Sequence, residues 1–209
     1  MTGSVQLVGC GPGGSEWVLP AARLAVGASD LVFGPPDLQS LFPEARGPRV
    51  DLPARPETAA PLVHAAFERG LSCAVLVRGD CGLHSLARGL QARLPAGSCR
   101  RIPGLSSVQV ACAAFGLDWE DARVLSAHGR ELADLDGSAR SAPVVVVLGG
   151  GPPFAPVLEG LRDALGPRRL LLASDLTLPA ERLREIAPAD RVPLDLPSRT
   201  IALLPRTLP

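Results

Sequence analysis

The fold of this chain can be worked out from residues 8–14, Val-Gly-Cys-Gly-Pro-Gly-Gly. Residues 5–8 are a short, mostly apolar run and glycines follow at once, which is the pattern of a strand closed by a tight turn. Pro20 suits the first turn of a following helix that continues to Ala28, because a proline there gives up no helical hydrogen bond. The stretch therefore predicts a strand, a glycine turn and a helix.

The rest of the chain alternates strand and helix patterns. Further strands are predicted at 31–33, 73–77, 100–102, 124–126, 144–148, 170–173 and 200–204, and helices at 62–67, 83–94, 108–115, 157–165 and 180–186. This alternation predicts a largely parallel sheet in an α/β fold. The polar residues 118–121 follow a helix stop near the middle of the chain. We therefore expect two α/β lobes, residues 1–117 and 118–209.

The composition excludes several classes of protein. The 209 residues carry 21 basic and 21 acidic side chains, and nucleic-acid or membrane-surface binding needs an excess of positive charge. Hydrophobic residues make up 46% of the chain, which is too many for a disordered protein. No targeting segment is visible, and the apolar tract 142–158 is broken by glycines and prolines. We expect a soluble, cytoplasmic protein with no nucleic-acid or membrane partner.

The cysteines do not suggest a disulfide framework or a metal site. Their number is odd, no Cys-x-x-Cys occurs, and several lie inside apolar runs. The prediction is buried, reduced thiols and no bound metal. The five are Cys10, Cys73, Cys81, Cys99 and Cys112.

The glycine turn satisfies G-x-G-x-x-G, but three observations weigh against a dinucleotide site or a Rossmann methyltransferase. Pro12 has no N–H to offer a phosphate, and no helix begins close behind Gly14. Asp30 precedes the second strand, whereas the Rossmann fingerprint needs an acidic residue at that strand's end. A tight turn with no ligand stays open as an alternative.

Two more loops follow predicted strands. Residues 78–82 place glycines on both sides of Asp80, and residues 102–107 lead into a helix. In open α/β sheets, ligands bind beyond the carboxyl ends of strands. We expect these loops and the glycine turn to converge at one edge of one sheet.

The ordered set of motifs resembles the tetrapyrrole methylases of cobalamin and siroheme biosynthesis. The residues that carry the resemblance are 8–13, 79–80 and 102–107. Residues 116–122 and 125–130, with their Trp-x-Asp-Ala and Ser-x-His-Gly-Arg patterns, are similar to the precorrin-6Y C5,15-methyltransferase type, the CbiE subunit. The resemblance covers essentially the whole chain.

The resemblance implies two α/β domains with S-adenosyl-L-methionine in a cleft between them, and a homodimer. It implies that the cofactor site is lined by Pro12, Gly79, Asp80, Leu83, Ser106 and Ser107, together with Leu148, Gly149, Ala173 and Ser174 of the second lobe. The glycine turn, including Gly11 and Gly13, would face the tetrapyrrole substrate. Two positions depart from the family pattern, since Cys81 replaces a proline and Gly14 an aspartate.

Three further residues are candidates for substrate chemistry. His128 lies in the most diagnostic motif and is the candidate weak base, with a structural turn residue as the alternative. Arg78 and Arg130 both follow strands, and their guanidinium groups suit the carboxylates of a precorrin. For each, a solvated surface arginine is the alternative.

The resemblance implies methylation of carbon 5 of a late precorrin, cobalt-precorrin-7 or precorrin-6B. Since the chain ends at Pro209, a second methyltransferase that acts on carbon 15 and removes a carboxyl group is expected, if present, to be a separate subunit. Two other classes stay open, a Rossmann-type methyltransferase for another substrate and a non-catalytic binding module of the same fold.

Overall fold

The computed structural model describes residues 3–127, 137–149, 154–166 and 168–206. The chain divides into two compact units, Met1–Ser107 and Val108–Pro209. The lobe boundary after residue 117 stays a prediction.

The first unit is built on a sheet of five strands that are all parallel. Its strand order is β3-β2-β4-β1-β5. The strands are β1 (Ser4–Gly9), β2 (Leu31–Phe33), β3 (Arg49–Val50), β4 (Ser72–Val77) and β5 (Cys99–Ile102). This arrangement confirms the parallel α/β pattern predicted for the first half of the chain.

Helices cover both faces of the first sheet. They are α1 (Pro20–Gly27), α2 (Pro36–Gln39), α3 (Pro56–Glu68) and α4 (Leu86–Gln91), and the first three begin at a proline. Leu7 and Val75 pack in the core that contains α3 and α4, whereas Val8 and Leu76 pack in the core that contains α1 and α2. Because both faces are buried, the central strands are apolar at consecutive positions.

The second unit contains a mixed sheet. Its order is β6-β7-β10-β8-β9, and only the β6–β7 pair is parallel. The strands are β6 (Arg123–Ser126), β7 (Val144–Leu148), β8 (Leu170–Ser174), β9 (Arg182–Ile186) and β10 (Thr200–Pro205). The prediction of a largely parallel sheet is therefore wrong for this unit. The helices are α5 (Ser107–Ala114), which begins at the end of the first unit, α6 (Gly137–Ser141) and α7 (Phe154–Leu165).

The predicted helix at 180–186 is also wrong, because this segment forms β9 at the edge of the second sheet. Along this segment Leu183 is 43% exposed and only Ile186 is buried, so the segment has no apolar helical face. Cross-strand pairing decides the structure here, since Arg169 donates two hydrogen bonds to the carboxylate of Glu185, at 2.6 and 2.8 Å.

Other differences are smaller. The predicted helix 83–94 begins later, at Leu86, because the Ser85 hydroxyl accepts a hydrogen bond from the Ala87 amide and caps it. The short elements α2, α6, β3 and a 3₁₀ turn at Ser15–Trp17 had not been predicted. Two separate five-stranded sheets also exclude the single continuous sheet of a Rossmann methyltransferase. None of the helices in the described ranges is long and apolar enough to cross a membrane.

Candidate functional site

The three predicted loops meet at the carboxyl edge of the first sheet. The strands β4, β1 and β5 are adjacent and parallel, so their carboxyl ends lie at one edge. The Gly79 amide donates to the Gly11 carbonyl at 2.9 Å, and the Gly11 amide donates to the Gly79 carbonyl at 3.3 Å. This pair of bonds confirms that the first loop, the glycine turn, and the second loop, residues 78–82, converge as expected. The third loop, residues 102–107, joins them through Gly104, Asp80 and Cys81.

Glycine is required here because the loops are in backbone contact. A Cβ atom on Gly104 would lie 2.4 Å from the Gly79 carbonyl oxygen, and one on Gly9 would lie 2.6 Å from the Gly104 amide nitrogen. Gly11 and Gly79 also have left-handed backbones, with φ of +76° and +60°. The G-x-G pattern therefore reflects close packing among three loops, which explains why it resembles a nucleotide motif without sharing its other features.

Two side chains tie the second loop to the third. The Asp80 carboxylate accepts from the Gly82 amide at 2.7 Å through Oδ1, and from the Gly104 amide at 3.1 Å through Oδ2. The Cys81 thiol is buried and donates to the Ile102 carbonyl at 3.5 Å. Cys81 thus gives this loop a hydrogen bond that a proline, which has no side-chain donor, could not make.

The backbone of Gly79 lies beside the start of α5. A Cβ atom placed on Gly79 would have the Ser107 amide nitrogen at 3.8 Å and the Leu105 carbonyl oxygen at 3.9 Å as its nearest neighbours. Ser107 is the first residue of α5, whose N-terminal dipole favours negative charge. Pro12, Leu83 and Ser106 belong to the same three joined loops. The six residues predicted from the first lobe to bind the cofactor are thus brought together, and their contact with it stays a prediction.

The predicted substrate residues of the first unit lie on the same loops. Gly11 is buried and Gly13 is half-buried. Arg78 is exposed and forms an ion pair with Asp37 of α2. No local sequence pattern indicated this partner, because the two residues are 41 positions apart.

The four residues predicted from the second unit gather around the start of β10. Ile201 pairs with Leu148 on one side and with Ala173 on the other. The Gly149 amide donates to the Thr200 carbonyl at 2.9 Å, and the hydroxyls of Ser174 and Thr200 share a hydrogen bond of 2.8 Å. Thr200 was missed, although a hydroxyl residue at the start of an apolar strand was a visible signal.

A strained loop follows β8. Asp175 and Thr177 have left-handed backbones, with φ of +48° and +66°, which is costly for residues other than glycine. The Asp175 amide donates to the Arg199 carbonyl at 3.1 Å, and the Thr177 amide donates to the Glu181 carboxylate at 2.6 Å. These bonds hold the loop in its strained form.

The cysteines are all free, and every one but Cys99 is buried. Burial raises the pKa of the Cys10 thiol to about 12 and the pKa of the Cys73 and Cys112 thiols to about 11. Burial also raises the pKa of Cys81, with a smaller contribution from the neighbouring Asp80 carboxylate. These four thiols are therefore uncharged near neutral pH and unsuited to nucleophilic catalysis.

Two predicted residues, His128 and Arg130, lie outside the described ranges. Across those ranges, no group of three or more histidine, cysteine or acidic side chains could hold a metal ion.

Comparison with known proteins points to one family. The family model for Tetrapyrrole (Corrin/Porphyrin) Methylases matches residues 4–190. A curated protein of Salmonella typhimurium, strain LT2, named cobalt-precorrin-7 C(5)-methyltransferase, is 29% identical over 202 residues, which cover 96% of this chain and 98% of that protein.

Solved structures share the fold over the whole length. The methyltransferase CobJ superposes with a TM-score of 0.80 at 22% identity, covering 100% of this chain and 98% of that one. The precorrin-6Y methylase CbiE of Archaeoglobus fulgidus gives 0.71 at 20% identity, with coverage of 98% and 99%. The uroporphyrin-III C-methyltransferase of Thermus thermophilus, solved with S-adenosylhomocysteine, gives 0.76 at 20% identity, with 97% of each chain covered.

Proposed function

This chain belongs to the tetrapyrrole (corrin/porphyrin) methylases, and from that premise we propose that it methylates carbon 5 of a late precorrin in cobalamin biosynthesis. The substrate we favour is cobalt-precorrin-7, with precorrin-6B as the metal-free alternative. The observation that carries the proposal is the 29% identity to a cobalt-precorrin-7 C(5)-methyltransferase, which extends over 98% of that protein. The likeness to solved structures supports the fold and does not select the methylated carbon.

The chain is a methyltransferase that uses S-adenosyl-L-methionine. This cofactor supplies a methyl group on a sulfonium, which is already activated for displacement. The protein therefore needs no covalent nucleophile. Its role is to bind the cofactor and the substrate, to align them and to exclude water. The raised pKa values of the buried thiols agree with this requirement, since they leave no thiolate to compete for the methyl group.

The first-unit loops fit the cofactor by the chemistry of their donors. The Ser106 and Ser107 hydroxyls and the first amide of α5 are donors that suit a carboxylate or a ribose. Asp80 acts as the residue that fixes the second loop to the third through Gly104. In the second unit, the residues proposed to bind the cofactor are Leu148, Gly149, Ala173 and Ser174.

We expect arginine side chains to bind the carboxylates of the substrate. Arg78 is exposed beside the Gly11–Gly79 bridge, and its ion pair with Asp37 leaves other guanidinium N–H groups to meet a carboxylate. Arg130 is the second candidate and His128 the candidate base that receives a proton from the substrate. Gly11 and Gly13 would face the macrocycle.

The direct test is methyl transfer. Purified protein is incubated with S-adenosylmethionine and cobalt-precorrin-7 or precorrin-6B, and mass spectrometry follows the gain of one methyl group. Nuclear magnetic resonance of the product then locates the methyl carbon, and methylation elsewhere than carbon 5 would contradict the proposal. Calorimetry with S-adenosylhomocysteine separates a wrong substrate from a non-catalytic module, because a module without the site gives no heat.

Arg130→Ala tests substrate binding. The variant should raise the KM for the precorrin with little change in affinity for S-adenosylhomocysteine, and Arg130→Lys should recover only part of the loss because an ammonium lacks the planar fork. Full activity in Arg130→Ala would remove this residue from the site.

The assembly is also proposed. We expect a cytoplasmic homodimer, with any decarboxylation at carbon 15 carried out by a separate methyltransferase subunit. Sedimentation velocity should give about twice the chain mass of 21.7 kDa. Production of the decarboxylated product by this chain alone would contradict the separate subunit.

A further inference from the structure

An exposed tryptophan lies in the same loop as the glycine turn. Trp17 ends the 3₁₀ turn Ser15–Trp17, between β1 and α1, and it is 37% exposed. The chain has only seven aromatic residues, five phenylalanines and two tryptophans. The phenylalanines are buried or half-buried, so the two tryptophans are the exposed members of a scarce group. Most of the Trp17 side chain is buried, and the exposed part remains accessible to a ligand.

The backbone beneath Trp17 is held firmly. Arg23 donates to the Ser15 carbonyl at 2.7 Å and is itself fixed by the Leu41 carbonyl at 3.0 Å. The Trp17 amide donates to the Gly14 carbonyl at 3.1 Å, and the next residue, Val18, is buried in the core. The indole is therefore mounted on a rigid turn, which lowers the entropy cost of using it to bind a ligand.

The neighbouring surface carries few side chains. A Cβ atom on Gly11 would lie 2.7 Å from the Trp17 carbonyl oxygen and 3.7 Å from the Trp17 Cβ, so the tryptophan adjoins the left-handed glycine directly. Beyond Gly11 the loop offers Pro12 and Gly13, which are half-buried and present backbone and one apolar ring. These two residues have no long side chain that would stand in the way of a flat ring system.

A positive charge lies on the adjacent loop. Arg78 is exposed and precedes Gly79, whose amide and carbonyl both bond to Gly11. One loop thus offers an aromatic surface and the next a guanidinium group. A macrocycle that has carboxylates on its rim matches both features.

We propose that the indole of Trp17 is the stacking surface for the tetrapyrrole macrocycle, with Arg78 pairing with a rim carboxylate. This inference rests on the proposed function, from which it takes its ligand class. It predicts that Trp17 contributes to the affinity for tetrapyrrole and leaves the affinity for the cofactor unchanged.

The experiment compares Trp17→Ala, Trp17→Phe and a control, Leu62→Ala, which removes another exposed apolar side chain, from α3. The probes are uroporphyrin III, a tetrapyrrole with carboxylates on its rim, and S-adenosylhomocysteine, each titrated by calorimetry. Trp17→Ala should weaken uroporphyrin III binding about tenfold, the size of a lost aromatic contact. Trp17→Phe should stay within about threefold of the wild type, because a smaller ring still stacks, and Leu62→Ala should bind both probes like the wild type.

Three results would overturn the inference. Unchanged uroporphyrin III affinity in Trp17→Ala removes the tryptophan from the site. An equal loss for both probes shows that the turn has collapsed, and a Trp17→Phe variant as weak as Trp17→Ala excludes ring stacking. Failure of the proposed function looks different, since wild-type protein would then bind uroporphyrin III in a Trp17-dependent manner and methylate no precorrin.

Discussion

The carboxyl edge of the first sheet and the loops around β10 in the second sheet achieve close backbone approach by different means. In the first unit the loops touch through glycines, with Gly11 and Gly79 in the left-handed region and Gly104 against both β1 and the second loop. In the loop after β8 of the second unit, two residues other than glycine, Asp175 and Thr177, are left-handed and are held by hydrogen bonds. In the first unit, Gly9 and Gly104 leave no room for a side chain, whereas the loop after β8 stores strain that a substitution could relieve.

The largest expected effect comes from Gly104→Ala. The added methyl group would lie 2.4 Å from the Gly79 carbonyl oxygen, and backbone atoms cannot move aside cheaply. We expect a loss of at least about 3 kcal/mol in the free energy of unfolding, measured by urea denaturation, together with loss of S-adenosylhomocysteine binding.

Gly160→Ala is the matched control. Gly160 lies inside α7 with no heavy atom within 4 Å of the added Cβ, so this variant should be about 0.5–1 kcal/mol more stable than the wild type. Equal effects of the two substitutions would show that the loops of the first unit are not closely packed.

Asp80→Ala should have the next largest effect. It removes the acceptor that joins the second loop to the third and should weaken S-adenosylhomocysteine binding by about 1–3 kcal/mol in calorimetry. Asp163→Ala, which removes an exposed aspartate from α7, should change nothing. Unchanged affinity in Asp80→Ala would mean that this loop does not form the cofactor site.

Stability should fall steeply in alkali because of buried thiols. The folded-state pKa values of Cys10, Cys73 and Cys112 lie above the ordinary value of 9.0, at about 12, 11 and 11. Below pH 9 both states hold these protons, and above it only the unfolded state releases them, so stability is lost as pH rises from 9 towards 11–12. Each thiol contributes up to about 1.4 kcal/mol per pH unit.

This slope is easy to isolate in this chain. The sequence has no lysine and no tyrosine, so few groups other than cysteines titrate between pH 9 and 11. Urea denaturation at intervals across that range should give a shallower slope for Cys10→Ala than for the wild type. An identical slope would show that Cys10 is not protected in the folded state.

Thr177→Gly should have the smallest effect and the opposite sign to Gly104→Ala. Glycine relieves the left-handed strain, worth about 1–3 kcal/mol, and the entropy of its unfolded chain offsets about 1 kcal/mol of that gain. Thermal denaturation should show a modest rise in Tm. The control, Thr58→Gly in the regular helix α3, should lower Tm. A drop in Tm of similar size in both variants would contradict backbone strain at Thr177.

Local sequence pattern predicts the secondary structure of the first unit better than that of the second, for a physical reason. Strands buried on both faces, such as β4, are continuous apolar runs, and their helices have clear amphipathic spacing. β9 is an edge strand with four exposed residues, so its sequence carries almost no hydrophobic period. Its pairing with β8 depends on residues eight to sixteen positions away, which no local pattern reveals.

The candidate site shows the same limit. The sequence located three loops at strand ends, because glycine and proline have strong local preferences. The family resemblance then selected the candidate residues in them. It did not reveal that Asp80 bonds to Gly104, that Arg78 pairs with Asp37 or that Thr200 joins Gly149 to Ser174. Those partners are far apart along the chain.

The sequence by itself determined the family, the α/β class, the first sheet's parallel strands and the three loops of the candidate site, since each depends on local pattern or on motifs in order. Only the tertiary structure decided the antiparallel pairing of the second sheet, the backbone contacts that demand glycine, and the placement of Trp17 beside Gly11. The physical reason is that local preference acts within a few residues, whereas packing and strand pairing are set by residues that meet only when the chain has folded.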